Sequence, residues 1–141
     1  MDTTEAGRPV TMELLKAISV AFNSRDVDRI MAHFAEDAVF LMASGPEPAG
    51  RTVRGKAAIR QVLAERFRVV PDMRWEREAE WLCGSRAVTV WRVTGRAADG
   101  TALDYRGCDL YEFADGLITR KDTYWKIVRP DPAGGRSPLL P

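Results

Sequence analysis

Two periods divide the chain. As far as Pro71, apolar residues recur at the three-to-four-residue spacing that lines one side of a helix; beyond it they alternate, the spacing that lines one face of a strand. Leu14, Leu15, Ile18 and Phe22 predict a first helix, with Thr11 as its cap. Val27, Ile30, Met31 and Phe34 predict a second, opened by Ser24 or Asp26. Ile59, Val62, Leu63 and Phe67 predict a third, which Pro71 ends. Between the last two, "AVFL" reads as a short strand and the residues after it as a Gly/Pro loop. Four alternating runs follow, "RWEREAEWL", "RAVTVWRVTG", "ALDYRGCDLYEF" and "LITRKDTYWKIV". The short links "CGS", "RAADGT" and "ADG" make them consecutive hairpins of an antiparallel meander. Helices followed by a run of strands define an α+β fold, with the helices on one face of the sheet.

Turn chemistry sets a register. A three-residue loop at Ala114-Asp115-Gly116 pairs Phe113 with Leu117 and places Asp109 opposite Lys121. A two-residue loop would set Asp109 against Asp122, and like charges directly opposite are unfavourable. The same logic at Ala98-Asp99-Gly100 pairs Ala97 with Thr101, which sets Thr89 beside Asp109 and Trp91 beside Gly107. One face then carries Thr89, Trp91, Val93, Tyr105, Asp109, Tyr111, Phe113, Thr119, Lys121, Thr123 and Trp125. Aromatic and poor in charge, it is the face expected to meet the helices. The other carries Arg92, Arg106, Cys108, Leu110, Glu112, Arg120, Asp122, Tyr124 and Lys126, and is expected to face solvent or a second subunit.

Asp109 is therefore a carboxylate among aromatics, costly unless paired or useful. It reads as a general acid, base or oxyanion donor, or as a structural partner of Lys121 that is hydrogen-bonded to Thr89. Tyr111 is the candidate hydroxyl donor beside it. Lys121 either tunes the acid or packs its stem and sends its ammonium to the pocket mouth. Trp91, Tyr105 and Trp125 form core or the wall of a substrate pocket. His33 is a catalytic candidate whose simpler role is that of a satisfied helix histidine. Asp122 is held in reserve against a one-residue error of register. Glu76, Glu78 and Glu80 alternate with Trp75, Ala79 and Trp81 and are expected to form a solvated strand face.

With 21 basic and 20 acidic residues the chain has no field of one sign, so neither nucleic acid nor membrane is an expected partner. No apolar run is long enough to span a bilayer and nothing resembles a signal peptide, which favours the cytoplasm. Cys83 and Cys108 make no zinc spacing and His33 stands alone, so no metal is expected; without a phosphate loop or dinucleotide turn, no organic cofactor is expected either. The 141 residues suit one domain, 11–128, between a loose polar start, 1–10, and a Pro/Gly-rich flexible tail, 129–141.

Three stretches resemble a known superfamily. "AFNSRDVDRIMAHFAEDAVF", "GRTVRGKAAIRQVL" and "RGCDLYEFADGLITRKDTYWK" are similar to the opening, third helix and final hairpin of nuclear transport factor 2-like domains, which include ketosteroid isomerase and SnoaL-like polyketide cyclases. The resemblance covers roughly residues 11–127. It implies a cone-shaped α+β barrel, three N-terminal helices on a curved sheet, often dimeric through the sheets. The isomerase's catalytic base falls at Met42 and its oxyanion tyrosine at Ile18, so both groups are replaced; its protonated oxyanion-hole aspartate falls at Asp109. The histidine and aspartate common in the last strand of the cyclases fall at Lys121 and Thr123. The resemblance points to an isomerase or cyclase acting on a bulky, hydrophobic, polyketide-like molecule, in which Met42, Ile18, Thr89, Trp91, Tyr105, Trp125 and His33 bind substrate and Asp109, Tyr111 and Lys121 act on it. Confinement alone would supply much of a cyclisation rate. A non-catalytic binder of an apolar metabolite and an assembly domain with a vestigial pocket are the other readings.

Overall fold

The structure, a computed structural model, describes residues 9–129. The expected loose ends fall almost wholly outside these residues. Three helices pack on one face of a curved six-stranded sheet that does not close.

Helix α1 (Met12–Ser24) starts where the Thr11 side chain accepts from the Leu14 amide at 3.2 Å, and buries Leu15, Ile18, Ala21 and Phe22. Helix α2 (Val27–Met31) is a short turn capped by Asp26, whose carboxylate accepts from the amides of Asp28 and Arg29. It ends sooner than the spacing of Phe34 suggests. Phe34 opens strand β1 (Phe34–Leu41), because the Ile118 amide, more than eighty residues along the chain, donates to the His33 carbonyl at 2.8 Å and draws the backbone into the sheet. Strand β2 (Thr52–Arg54) folds back on β1 from within the expected loop. Helix α3 (Lys56–Val69) buries Ile59 and Leu63.

The meander consists of β3 (Arg74–Cys83), β4 (Arg86–Arg96), β5 (Ala102–Ala114) and β6 (Leu117–Trp125). Sheet order is β2-β1-β6-β5-β4-β3, and β1 runs parallel to β6. The sheet is thus mixed, not antiparallel throughout: a chain that leaves β1 for a helix before building the meander returns to its flank in the same direction.

Between β4 and β5 the expected register holds, with Thr89 opposite Asp109 and Trp91 opposite Gly107. Between β5 and β6 it does not. Ala114 pairs with Leu117 across a two-residue turn, Asp115-Gly116, with φ of 51° and 79°. Two positive φ values mark the turn whose twist matches that of the strands, so it prevails over the three-residue loop. The clash between Asp109 and Asp122 that argued against it never arises. A bulge at Thr119, whose hydroxyl donates to the Glu112 carbonyl at 3.1 Å, inserts one residue and sets Asp109 opposite Thr123 and Tyr111 opposite Lys121. Apart from Thr119 itself, the inner face keeps its expected members.

A second bulge, at Glu78, reverses β3. Arg77 pairs with Trp91 and Glu80 with Thr89 on the helix side, while Trp81 turns outward and is 60% exposed. The expected solvated row of three glutamates is therefore broken at Glu80, because one inserted residue exchanges the faces of everything beyond it. The main core gathers Leu15, Ile30, Phe34, Phe40, Ile59 and Ile118 under the helices. A smaller one joins Met73, Trp91 and Val93 to Tyr105 and Trp125. No helix among the described residues is long and apolar enough to cross a membrane.

Candidate active site

Burying a carboxylate is tolerable only when its oxygens are occupied. Asp109 meets that condition on the concave side of β5. It accepts from Trp91 Nε1 at 2.8 Å, from Lys121 Nζ at 3.0 Å and from the Thr123 hydroxyl. Lys121 also donates to Thr123 Oγ1 at 2.7 Å. The threonine therefore accepts from the lysine and donates to the aspartate, completing a three-membered circuit. Thr123 takes the part expected of Thr89, since the bulge brings it opposite Asp109. An ammonium has three protons, and two are committed here. The nitrogen also lies 4.5 Å from the centre of the Phe40 ring and 5.6 Å from that of Phe22. Burial pushes the Lys121 ammonium below its usual pKa, against the pull of Asp109. Burial, reinforced by the charge of Asp109, pushes the Tyr111 hydroxyl well up.

These groups line a cavity of about 50 Å³. Its walls are Leu15, Ile18, Ser19 and Phe22 from α1, Trp75, Arg77 and Glu80 from β3, and Thr89, Trp91, Asp109, Tyr111 and Lys121 from the other strands. Asn23 ties α1 to β3 by bonding both the amide (2.8 Å) and the carbonyl (2.9 Å) of Trp75, which fixes the spacing across the cavity. Arg77 and Glu80 form a forked ion pair on its wall. Among the described residues the Tyr111 hydroxyl has no hydrogen-bond partner.

Of the ten residues singled out from sequence, six meet here: Ile18, Thr89, Trp91, Asp109, Tyr111 and Lys121. Four do not. Met42 and Trp125 line a separate groove beside α3. Tyr105 stacks on Trp125 at 5.1 Å, behind that groove. His33 sits in the turn after α2 among Glu13, Lys16 and Arg29, and burial with the Arg29 charge lowers its pKa. Asp122 points to the outer face, so its reserve role lapses. Arg77 and Glu80 were missed because their facing depends on the bulge at Glu78, which alternation alone does not reveal. No three metal-ligating side chains come together among the described residues.

With this architecture in view, the chain belongs to the SnoaL-like domain family, whose description matches residues 15–121. That family holds isomerases and cyclases on the nuclear transport factor 2-like fold. Comparison with curated proteins gives no match. Among solved structures, a cystatin-fold protein of Novosphingobium aromaticivorans is 28% identical with a TM-score of 0.68, over 79% of this chain and 94% of that one. TerC, co-crystallised with polyporic acid, is 23% identical with a TM-score of 0.68, over 82% of this chain and 90% of that one. A Catenulispora acidiphila protein of ketosteroid isomerase-like fold, in complex with trimethylamine, is 16% identical with a TM-score of 0.73, over 84% and 88%. The last two bear on the fold alone.

Proposed function

We propose that the protein is a small-molecule isomerase or cyclase that stabilises an enolate, with Lys121 and Tyr111 as the donors its substrate oxygen meets. The observation that carries this is the buried Asp109–Lys121 pair opening onto a cavity walled by Leu15, Ile18, Phe22 and Trp91. Both proton shifts beside a carbonyl and aldol-type ring closures place negative charge on oxygen. A fixed ammonium in an apolar site stabilises that charge far better than water does. Asp109, bound by three donors, holds the ammonium in place and does not itself move a proton. Proton removal falls to Glu80, the other carboxylate on the wall, which Arg77 orients. Glu80 takes the proton next to the carbonyl as the oxygen becomes an enolate, then returns it to carbon; in a ring closure the enolate carbon instead adds to a second carbonyl of the same substrate, whose π electrons pass to its oxygen, and that oxygen takes the proton from Glu80.

Ligand pockets usually enclose roughly 300–1,000 Å³. At about 50 Å³ this cavity admits a carbonyl-bearing end, with the substrate's bulk outside past exposed Arg77. That two structures of this fold hold small organic molecules supports a small-molecule ligand. The test is exchange of α-protons of small cyclic ketones in D₂O, followed by NMR. Exchange should exceed the buffer rate and fall roughly a hundredfold or more in Lys121→Met, the scale of losing one oxyanion donor. Exchange at the buffer rate, or indifferent to Lys121→Met, would sink the proposal. A second reading, a non-catalytic binder of apolar metabolites, draws on the complete hydrogen bonding of Asp109; it predicts ligand affinity that depends on Lys121 with no exchange at all. In either reading the protein pairs with a second copy through the outer sheet face.

A further inference from the structure

Arg66 has no part in the cavity chemistry. It projects from α3 into the groove on the far side of the Trp91–Trp125 ring contact, a space of about 660 Å³ lined mainly by Met42, Val53, Val62, Val69, Leu103 and Trp125. Its guanidinium lies 5.9 Å from the centre of the Trp125 ring and is half-buried. Among the described residues it has no acid within ion-pair distance and no hydrogen bond. A guanidinium carries five donors, and removing them from water without partners is costly. Stacking on Trp125 and the more distant charge of Asp109 offset only part of that cost; burial lowers the arginine's pKa and Asp109 opposes it. Arg51, also without an acid partner among the described residues, lines the same groove. The one acid there, Glu65, is held in a forked pair with Arg68. The groove is thus apolar along its length, uncompensated in positive charge, and floored by an indole.

We propose that this groove binds an amphipathic carboxylate, a planar or alicyclic ring bearing one acid group, with the ring against Trp125 and the aliphatic wall and the acid on the fork of Arg66. The site goes beyond the proton chemistry at Lys121 and does not depend on it. A fork of donors suits a carboxylate, which accepts two parallel bonds. A neutral ring would leave Arg66 as unpartnered as before. A fully hydrated dianion would gain nothing from the hydrocarbon wall.

The experiment uses 2-naphthoate and its neutral counterpart 2-naphthamide, titrated by calorimetry into the full chain at low and physiological salt. Naphthoate should bind roughly ten- to a hundredfold more tightly than naphthamide, the range for one hydrogen-bonded charge. Arg66→Met should abolish that preference while leaving naphthamide affinity within about twofold, and Arg66→Lys should restore part of it. Trp125→Phe locates the ring by removing the quench of tryptophan emission that naphthoate produces. Tyr111→Phe, which alters the cavity without changing its charge, should leave naphthoate binding unchanged, which separates this site from the cavity. No binding at millimolar naphthoate, equal affinity for the two probes, or a preference that survives in folded Arg66→Met would each overturn the proposal. Circular dichroism of the Arg66 variants establishes folding, and Arg66→Lys decides the matter if Arg66→Met does not fold.

Discussion

Lys121 makes its contacts only with groups that are themselves buried, so its removal is felt by all of them. Its side chain is 8% exposed and that of Asp109 is 7%. Lys121→Met leaves Asp109 a carboxylate without its cation, and the cost should be about 3–5 kcal/mol, the range for breaking a buried pair from one side. The double change with Asp109→Asn should cost less than the single changes added together. A denaturant-titration cycle reads the difference, and a coupling near zero would mean the circuit is not formed in solution. The pair also has a pH signature. Burial lowers the folded pKa of Lys121 below its ordinary 10.5, so between those two values the unfolded chain holds the extra proton and stability rises with pH. Tyr111 acts oppositely: its folded pKa lies above 10.0, so from that pH upward the folded state holds the extra proton and stability falls. Wild type should therefore gain stability as pH rises toward 10.5, with the fall from Tyr111 opposing that gain from pH 10.0 upward. Lys121→Met should flatten the rise and Tyr111→Phe the fall, both measured by chemical denaturation across pH. Sequence revealed the meeting of Asp109 and Lys121, because a shared strand face needs only alternation. It did not reveal Trp91 Nε1 or Thr123 as partners, which depend on rotamer and register, or Arg66, which depends on how α3 is rolled against the sheet.

Elements obey parity more strictly than they obey position. The tight turn at Asp115-Gly116 shifts β6 by one residue from the expected register, and the bulge at Thr119 shifts it by one more, so the face survives two departures. Helix α1 and the four meander strands were legible for the same reason: long periodic runs outlast small errors. Strand β2 and the early end of α2 were not: β2 is three residues long, too short to show a period, and α2 is cut short by pairing with β6, more than eighty residues along the chain. Where a strand face is crowded, a single atom is decisive. A Cβ on Gly107 would lie 2.4 Å from the Tyr124 carbonyl oxygen and 2.6 Å from the Trp91 ring. Gly107→Ala should therefore displace the indole that holds Asp109 and cost about 1–3 kcal/mol, as overpacking does. Equilibrium unfolding measures this, and a neutral result would show that β5 and Trp91 yield freely.

At the scale of the whole molecule, the convex face of the sheet remains to be covered. Trp81, Leu110 and Tyr124 are 60%, 41% and 55% exposed there, and Val88, Val90 and Cys108 lie between them within a rim of arginines and acids. An apolar centre with a polar rim suits self-association. Sedimentation at micromolar concentration should give twice the 15.7 kDa chain mass, and Leu110→Glu should return it to one. A wild-type mass near that of one chain would refute the pairing.

The order of the strands has one more consequence, for how the chain is made. Strand β6, the last of the described strands in chain order, lies inside the sheet between β1 and β5. Until it arrives, the β1–β2 ribbon and the β3–β5 meander are separate pieces, each with an open edge able to recruit other chains. A nascent or prematurely terminated polypeptide that stops short of Leu117 is therefore not a smaller version of this protein but two adhesive fragments on one string. Quality control in the cell would meet it as an aggregate, and a reporter fused after β6 would light up only when the last strand has closed the gap.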